Sequence, residues 1–463
     1  MALERYRQAL EYLDSFIHGP AESLVPKDPS ELHASRLRRL PRVSRFLELL
    51  GRPQDAFTTI HVGGTSGKGS TSILIGSILR AAGYRVGVHT TPYLQSPVEK
   101  LMVDGRYIHP EELATLVEEM RPVVAQMTHE GIHGPPLYGD LWVGLTLAHF
   151  ARRRVDYAVV EVGVGGRYDA TNVLHPRVSV ITNVSYDHVP TLGNTLEEIA
   201  WHKAGIIKPR TPAVTGITQP GPLAVVEREA QEQGARLWRL GREFSYQVKD
   251  VSRLGSVFDY HGPTANYYDL EISLLGAHQV TNAVLGLAAL EALQGQDVCI
   301  PEEAIRRGLR TASFPGRLEL MQRRPLVVLD GAHNPEKARS LRLALEQLFL
   351  PHVQRLILVL GVLQVKDAAE ILRELVPLSH LVIATAPQVV GKPAVEAADL
   401  AQEVQGMGVS ALCQPDPRAA VQQALEIADP DDLVCVTGSL YLVGQVRERW
   451  VKEEELLMTR AEV

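Results

Sequence analysis

Ile60-His61-Val62-Gly63-Gly64-Thr65-Ser66-Gly67-Lys68-Gly69-Ser70-Thr71 is the stretch from which the rest of the chain is read. An apolar run at 58–62 stops at a glycine pair, and a helical apolar pattern (Ile73, Leu74, Ile78, Leu79) follows Lys68. Strand, glycine-rich loop and helix in that order make a phosphate cradle. Glycines let backbone N–H groups turn onto an anion, and the helix N-terminus adds positive potential. Lys68 is placed to meet terminal phosphates, and the hydroxyl of Ser70 or Thr71 to reach a magnesium ion. Gly64, Thr65, Ser66, Gly67, Lys68, Gly69, Ser70 and Thr71 are therefore the candidate nucleotide loop. The spacing departs from the usual P-loop, where Ser or Thr directly follows Gly-Lys; here Gly69 intervenes. The plain alternative is a turn with a solvated lysine. It leaves the clustering of glycines, lysine and hydroxyls unexplained.

A chain of 463 residues has room for two or more domains with sizeable cores. Hydrophobic content of 45% and charged content of 22% are those of a globular protein. A net charge of −7 argues against a nucleic-acid partner. Cys299, Cys413 and Cys435 are scattered without ligand spacing, which argues against a disulfide framework or zinc site and fits the reducing cytoplasm. No signal peptide and no membrane-spanning apolar run is expected.

Upstream of the loop, residues 1–18 read as an amphipathic helix ended by Gly19 and Pro20. The basic run 35–45 reads either as a solvated helix face or as a collar attracting an acidic substrate. Downstream, a second strand at 85–89 leads into Thr90-Thr91-Pro92-Tyr93-Leu94, a proline-bearing loop at a strand's C-terminal end, where open α/β sheets face their ligand. A buried strand at 156–162 ends in Glu161, and a carboxylate there can hold a metal beside a nucleotide. A fourth strand, 178–182, runs into Asp187 and His188. His188 reads either as a structural residue or, paired with Glu161, as a ligand or acid–base group. Thr195 and Glu198 have capping-box spacing for a helix that carries Lys203 among apolar residues; its ordinary reading is a snorkelling lysine. Residues 241–275 read as a small antiparallel insert. The segment Ser313-Phe314-Pro315-Gly316-Arg317 breaks the pattern, after which strands and helices alternate again. The fold class expected is α/β: a P-loop domain with a mostly parallel sheet over 1–312, then a smaller Rossmann-like α/β domain over 313–463.

As an ordered set these motifs become specific. Gly64 to Ser70 is followed by Glu161, Gly165-Gly166-Arg167 and Asp169-Ala170-Thr171-Asn172. Then come Asp187-His188, Lys203-Ala204-Gly205, Gly276-Ala277-His278-Gln279 with Asn282, Phe314-Pro315-Gly316-Arg317, Asp330-Gly331-Ala332-His333-Asn334-Pro335 and Gly438-Ser439-Leu440-Tyr441. In this order, over nearly the whole chain, the set resembles the folylpolyglutamate synthase and dihydrofolate synthase family of the Mur ligase superfamily.

The resemblance implies an ATP-dependent ligase that joins L-glutamate to a pteroate or folate carboxyl group through an acyl phosphate. It implies catalytic roles for Lys68, His188 and Lys203. Ser70 and Glu161 would hold one magnesium, and Glu161, His188 and Thr91 a second. Lys203 would act as a carbamate that also serves the metal. Asn282, Arg317, Asp330 and His333 would contact the nucleotide, and Pro92, Tyr93, Leu94, Asp169 and Ala170 would flank the acceptor. A monomer with a hinge near 314–316 is implied as well. The family's usual Thr-Ser-Pro-His-Leu and Asn-Glu-Arg segments read here as Thr91-Pro92-Tyr93-Leu94 and Val98-Glu99-Lys100. That departure bears on the acceptor, so a Mur-type ligase with another carboxylated acceptor stays open, as does a nucleotide-binding module without ligation.

Overall fold

The structure, a computed structural model, describes residues 2–17, 29–295, 298–389 and 391–458. Gly19 and Pro20 lie outside them, and the first helix is Ala2–Asp14.

The described residues form three sheets. In the first, the strand Thr58–Gly63 lies between Tyr157–Glu161 and Val178–Ile181, parallel to both. Val86–His89 extends the parallel set on one side, Ala213–Thr215 and Leu237–Arg239 on the other. Two short strands, Met102–Val103 and Arg106–Tyr107, close one edge in antiparallel fashion. The central strands are buried almost throughout, as continuous β-branched runs in a covered parallel sheet should be. One cover is the helix Lys68–Ala81, which packs Ile73, Leu74, Ile75, Ile78 and Leu79 into the core with the helix Ala277–Gln294. Register places Val62 beside Glu161 and Gly63 beside Ile181. Three neighbouring strands thus deliver the glycine loop, Glu161 and the 182–188 segment to one rim.

The insert is a three-stranded antiparallel sheet, Ser245–Ser252, Gly255–His261 and Asn266–Ile272. Beyond the 313–317 break a six-stranded sheet follows. Leu326–Leu329, Leu433–Thr437, Leu356–Leu360, Leu381–Ala384 and Ser410–Cys413 run parallel, and Glu319–Arg323 pairs antiparallel at the edge. The edge strands Glu319–Arg323 and Ser410–Cys413 escaped sequence reading because they are short and largely exposed, unlike the buried apolar strands between them.

The basic run lies on the helix Pro29–Leu49 and is neither a free collar nor a bare solvated face. Arg42 donates to the buried Asp140 at 2.7 Å, with Arg39 3.5 Å from the same carboxylate. Arg45 pairs with Glu130 and Glu48, and Arg36 donates to the Thr191 carbonyl.

Candidate active site

The glycine loop is braced from the neighbouring strand. The Asn183 carboxamide oxygen accepts from the amides of Ser66 (2.8 Å) and Thr65 (3.2 Å), and the Thr182 hydroxyl donates to the Ser66 carbonyl at 2.6 Å. Gly67 turns the chain with φ 79°, and a Cβ there would lie 2.2 Å from Asn282 Oδ1. The helix starts at Lys68, so the amides of Lys68, Gly69 and Ser70 have no intrahelical carbonyl to meet. The added glycine now has a steric reason. A Cβ on Gly69 would stand 2.8 Å from the Phe314 ring and 3.2 Å from Glu161 Oε2. Any side chain at 69 would force Phe314 or the loop itself to shift from the place it holds beside Glu161.

Lys68 Nζ lies 3.2 Å from the Thr65 carbonyl and 3.8 Å from Glu161 Oε1. Glu161 is buried, which pushes its carboxyl above the usual range; Lys68 and the Thr91 amide, donating at 3.0 Å, oppose that rise. Thr91 therefore meets Glu161 through its backbone. His188 takes a left-handed conformation (φ 52°) at the start of the short helix Val189–Leu192, with its ring 40% exposed to the cleft. Partial desolvation of the imidazole, with Lys366, Lys68 and Lys203 nearby, lowers its pKa to about 4 despite Asp187, so the imidazole is neutral at pH 7. Lys203 does not snorkel. It is only 3% exposed on the helix Leu196–Ala204, and burial beside Lys68 lowers its pKa to about 7.

The second half meets this rim directly. The Glu336 carboxylate accepts from the Ser66 hydroxyl at 3.0 Å, from Asn183 Nδ2 at 2.6 Å and from the Ser185 hydroxyl. Lys366 Nζ sits 2.8 Å from Asp187 Oδ1, and Asn334 Nδ2 is 3.4 Å from Asp187 Oδ2. Burial opposes ionisation of Asp187, but His188 and Lys366 hold its carboxyl well below the usual range. His333 donates from Nδ1 to the Gly331 carbonyl at 2.7 Å and receives Lys337 Nζ at Nε2, 3.1 Å away. Arg317 lies over the Phe314 ring at 4.8 Å. Asp330 accepts from the amides of Leu318 and Ala332, both at 2.9 Å.

The loop after the second strand is pinned by both halves. Glu99 accepts from the amides of Leu94, Gln95 and Ser96, closing a capping box with Ser96. Leu94 packs into an apolar cluster with Leu440, Leu442 and Val443 of the second half, and Pro92 lines a small cavity with Phe314 and Arg317. The Tyr93 ring stands 6.4 Å from that of Tyr441, and Lys100 Nζ lies over Tyr93, Tyr138 and Trp142 at 5.2, 5.2 and 4.2 Å. Asp169 and Ala170 are buried, and the Asp169 carboxylate accepts from the Val164 amide and from both the amide and hydroxyl of Thr171. Through these bonds Asp169 ties down the glycine turn after Glu161.

Sequence reading did not single out Asn183, Glu336, Lys337 or Lys366. Lys366 follows the strand Leu356–Leu360 on the same side as the 330–335 segment, so the strand-end rule could have found it. Glu336 and Lys337 carry no local signal beyond following Pro335.

Residues 62–290 match the Mur ligase middle domain, and residues 316–440 the glutamate ligase domain of Mur ligases. Dihydrofolate synthase/folylpolyglutamate synthase of Bacillus subtilis is 36% identical over 417 residues, spanning 89% of this chain and 94% of the relative. The chain belongs to the folylpolyglutamate synthase and dihydrofolate synthase family. Folylpolyglutamate synthase of Lacticaseibacillus casei is 35% identical over 88% of this chain and 93% of its own length. Among solved members of the family, Mycobacterium tuberculosis folylpolyglutamate synthase complexed with ADP superposes with a TM-score of 0.88 at 33% identity, covering 98% of this chain and 99% of that one. The Thermotoga maritima synthase gives 0.83 at 33% identity, covering 99% and 100%. This chain is an ATP-dependent ligase of that family, with its mixed α/β fold and smaller second α/β unit. Among the described residues no helix is long and apolar enough to cross a membrane.

Proposed function

We propose that the enzyme adds L-glutamate to dihydropteroate, to the glutamyl carboxylate of a reduced folate, or to both. The observation that carries this reading is the convergence of Lys68, Glu161, His188 and Lys203 on one rim, faced by Asp330, His333 and Arg317 from the other half. An acceptor carboxylate oxygen attacks the γ-phosphorus of ATP, the bond to the β-phosphate oxygen breaks, and ADP leaves. The glutamate amine then attacks the acyl carbon, loses a proton, and inorganic phosphate departs. Two anions must meet in the first step. Lys68 and the first-turn amides would supply the positive potential that brings them together. Asn282 and Arg317 border the loop and the inter-sheet segment, where they would bind the nucleotide. Asp330 is the candidate ribose acceptor, with His333 beside it.

The donors suit magnesium. Glu161 is a buried hard carboxylate, Ser70 a hydroxyl at the helix start, Thr91 a second hydroxyl and His188 a neutral imidazole. Among the described residues no trio of His, Cys, Asp or Glu stands close enough to hold a cation alone. Magnesium usually takes one or two carboxylates and completes its shell with phosphate oxygens and water. When bound it would neutralise phosphate charge and polarise the γ-phosphoryl group. Lys203 suits a carbamate: its pKa near 7 leaves part of it as the neutral amine that carbon dioxide requires.

The division we infer is 1–312 and 313–463, with 314–316 as the hinge on which the cleft closes. One chain supplies both halves of the site, so a monomer is the working unit we infer, in the cytoplasm. Mass spectrometry tests the function: with MgATP and glutamate, the acceptor should gain one glutamyl residue. Failure with both dihydropteroate and tetrahydrofolate would overturn the folate reading.

A further inference from the structure

We propose that Lys337 is a phosphate-binding residue of the ATP site, delivered across the cleft by the second half and positioned by its neighbour Glu336. The proposal rests on the ATP-dependent reading above.

Placement comes first. The Glu336 carboxylate bonds Ser66 of the glycine loop at 3.0 Å and Asn183, which braces that loop, at 2.6 Å. Residue 337 is thereby fixed on the rim of the phosphate cradle. The Asn334 side chain accepts from the Lys337 amide at 2.9 Å and sets the first turn of the helix Pro335–Leu348. The Lys337 ammonium then lies half-buried against His333 Nε2 at 3.1 Å. His333 already donates from Nδ1 to the Gly331 carbonyl, so Nε2 is an acceptor and keeps the lysine aimed into the cleft.

Charge comes second. A cation in the first helical turn is set against the helix dipole. Burial, with Lys68, Arg317 and Lys366 close by, lowers the Lys337 pKa to about 7 against the opposing charge of Asp187. Glu336 is committed to Ser66, Asn183 and Ser185, and Asp187 to Lys366. Around it Lys68, Arg317 and Lys366 are met by Asp187, Glu161 and Asp330, so its ammonium belongs to a mixed-charge cluster at the mouth of the anion cradle, with its hydrogen bond going to His333. A polyanion offsets the mutual repulsion of Lys337, Lys68, Arg317 and Lys366, and the γ-phosphate, lying farthest along the cradle from the nucleoside, is the group a lysine on this rim would reach. Lys68 and Lys337 would then hold the terminal phosphate from opposite halves and tie ATP affinity to cleft closure.

Equilibrium binding of ADP and of the non-hydrolysable ATP analogue AMPPCP, each with magnesium, tests this on the full chain. Lys337→Met should weaken AMPPCP by about tenfold or more, the loss of one charge-assisted contact, and ADP by less than about threefold. Lys337→Arg, which keeps the charge, should recover most of the AMPPCP affinity. The melting temperature of nucleotide-free Lys337→Met should stay close to that of the wild type, since the like and opposite charges around the ammonium offset one another. Equal losses for the two nucleotides, no loss at all, or a marked fall in melting temperature would overturn the proposal. Should Lys337→Met not fold, a charge-free Lys337→Gln that binds AMPPCP like the wild type would overturn it equally. Wild-type protein that binds neither nucleotide would instead break the ATP reading itself.

Discussion

Loops 64–71 and 331–337 face each other across the cleft and are built on opposite plans. The first acts through backbone: Gly67 turns the chain, the helix start presents amides, and Gly69 makes room for Phe314 and Glu161. The second acts through side chains that reach the other half, Glu336 to Ser66 and Asn334 toward Asp187, with Lys337 aimed beside them. A backbone site is specified by its own few residues. A side-chain site of the second kind exists only once two distant sheets have come together.

The largest effect should come from the first loop. Lys68→Ala should cut acceptor-dependent phosphate release by roughly 10²–10³, the scale of removing one preorganised donor from a transition state. A steady-state assay checks it, and a loss below about tenfold would move the main electrostatic load to the second loop. Lys203→Ala should lose activity on a similar scale of about 10². A short carboxylate such as acetate should restore part of it by standing in for the carbamate; absence of any rescue would count against a carbamate there.

Gly69→Ala separates room from charge. The added Cβ meets Phe314 at 2.8 Å and Glu161 at 3.2 Å, so the loop, the carboxylate and the inter-sheet segment cannot all keep their places. Overpacking of this kind costs about 1–3 kcal/mol, and kcat should fall by about tenfold. A neutral result would mean that Phe314 yields freely and that the extra glycine has another origin. The smallest change is expected for Glu336→Ala. It removes contacts that orient rather than react, so KM for ATP should rise about threefold to tenfold with kcat nearly unchanged. An equal fall in kcat would make Glu336 more than a brace.

The same contrast explains what could be read from sequence. The strand, loop and helix around Lys68 were legible because glycine, lysine and hydroxyl spacing is local chemistry. Glu161, Asp187 and Asp330 were legible because strands are apolar and their ends are polar, and parallel sheets bring such ends to one rim. Lys203 stood out as a cation in an apolar helix, and its burial bears that out. Glu336, Lys337 and Lys366 look like ordinary surface charges in sequence; only tertiary approach gives them partners. The arginines at 35–45 misled in the other direction. Their density suggested an open surface, yet Arg42 is spent on Asp140, 98 residues away. Short edge strands stayed hidden because they are largely exposed, unlike the buried apolar strands between them.

The most direct test of the central claim follows an oxygen atom. Dihydropteroate or tetrahydrofolate carrying ¹⁸O in the reacting carboxyl group is turned over with MgATP and glutamate, and the released phosphate is weighed by mass spectrometry. Activation as an acyl phosphate predicts that each phosphate carries one ¹⁸O from the acceptor and that no phosphate appears without it. Unlabelled phosphate, or release that ignores the acceptor, would contradict the account.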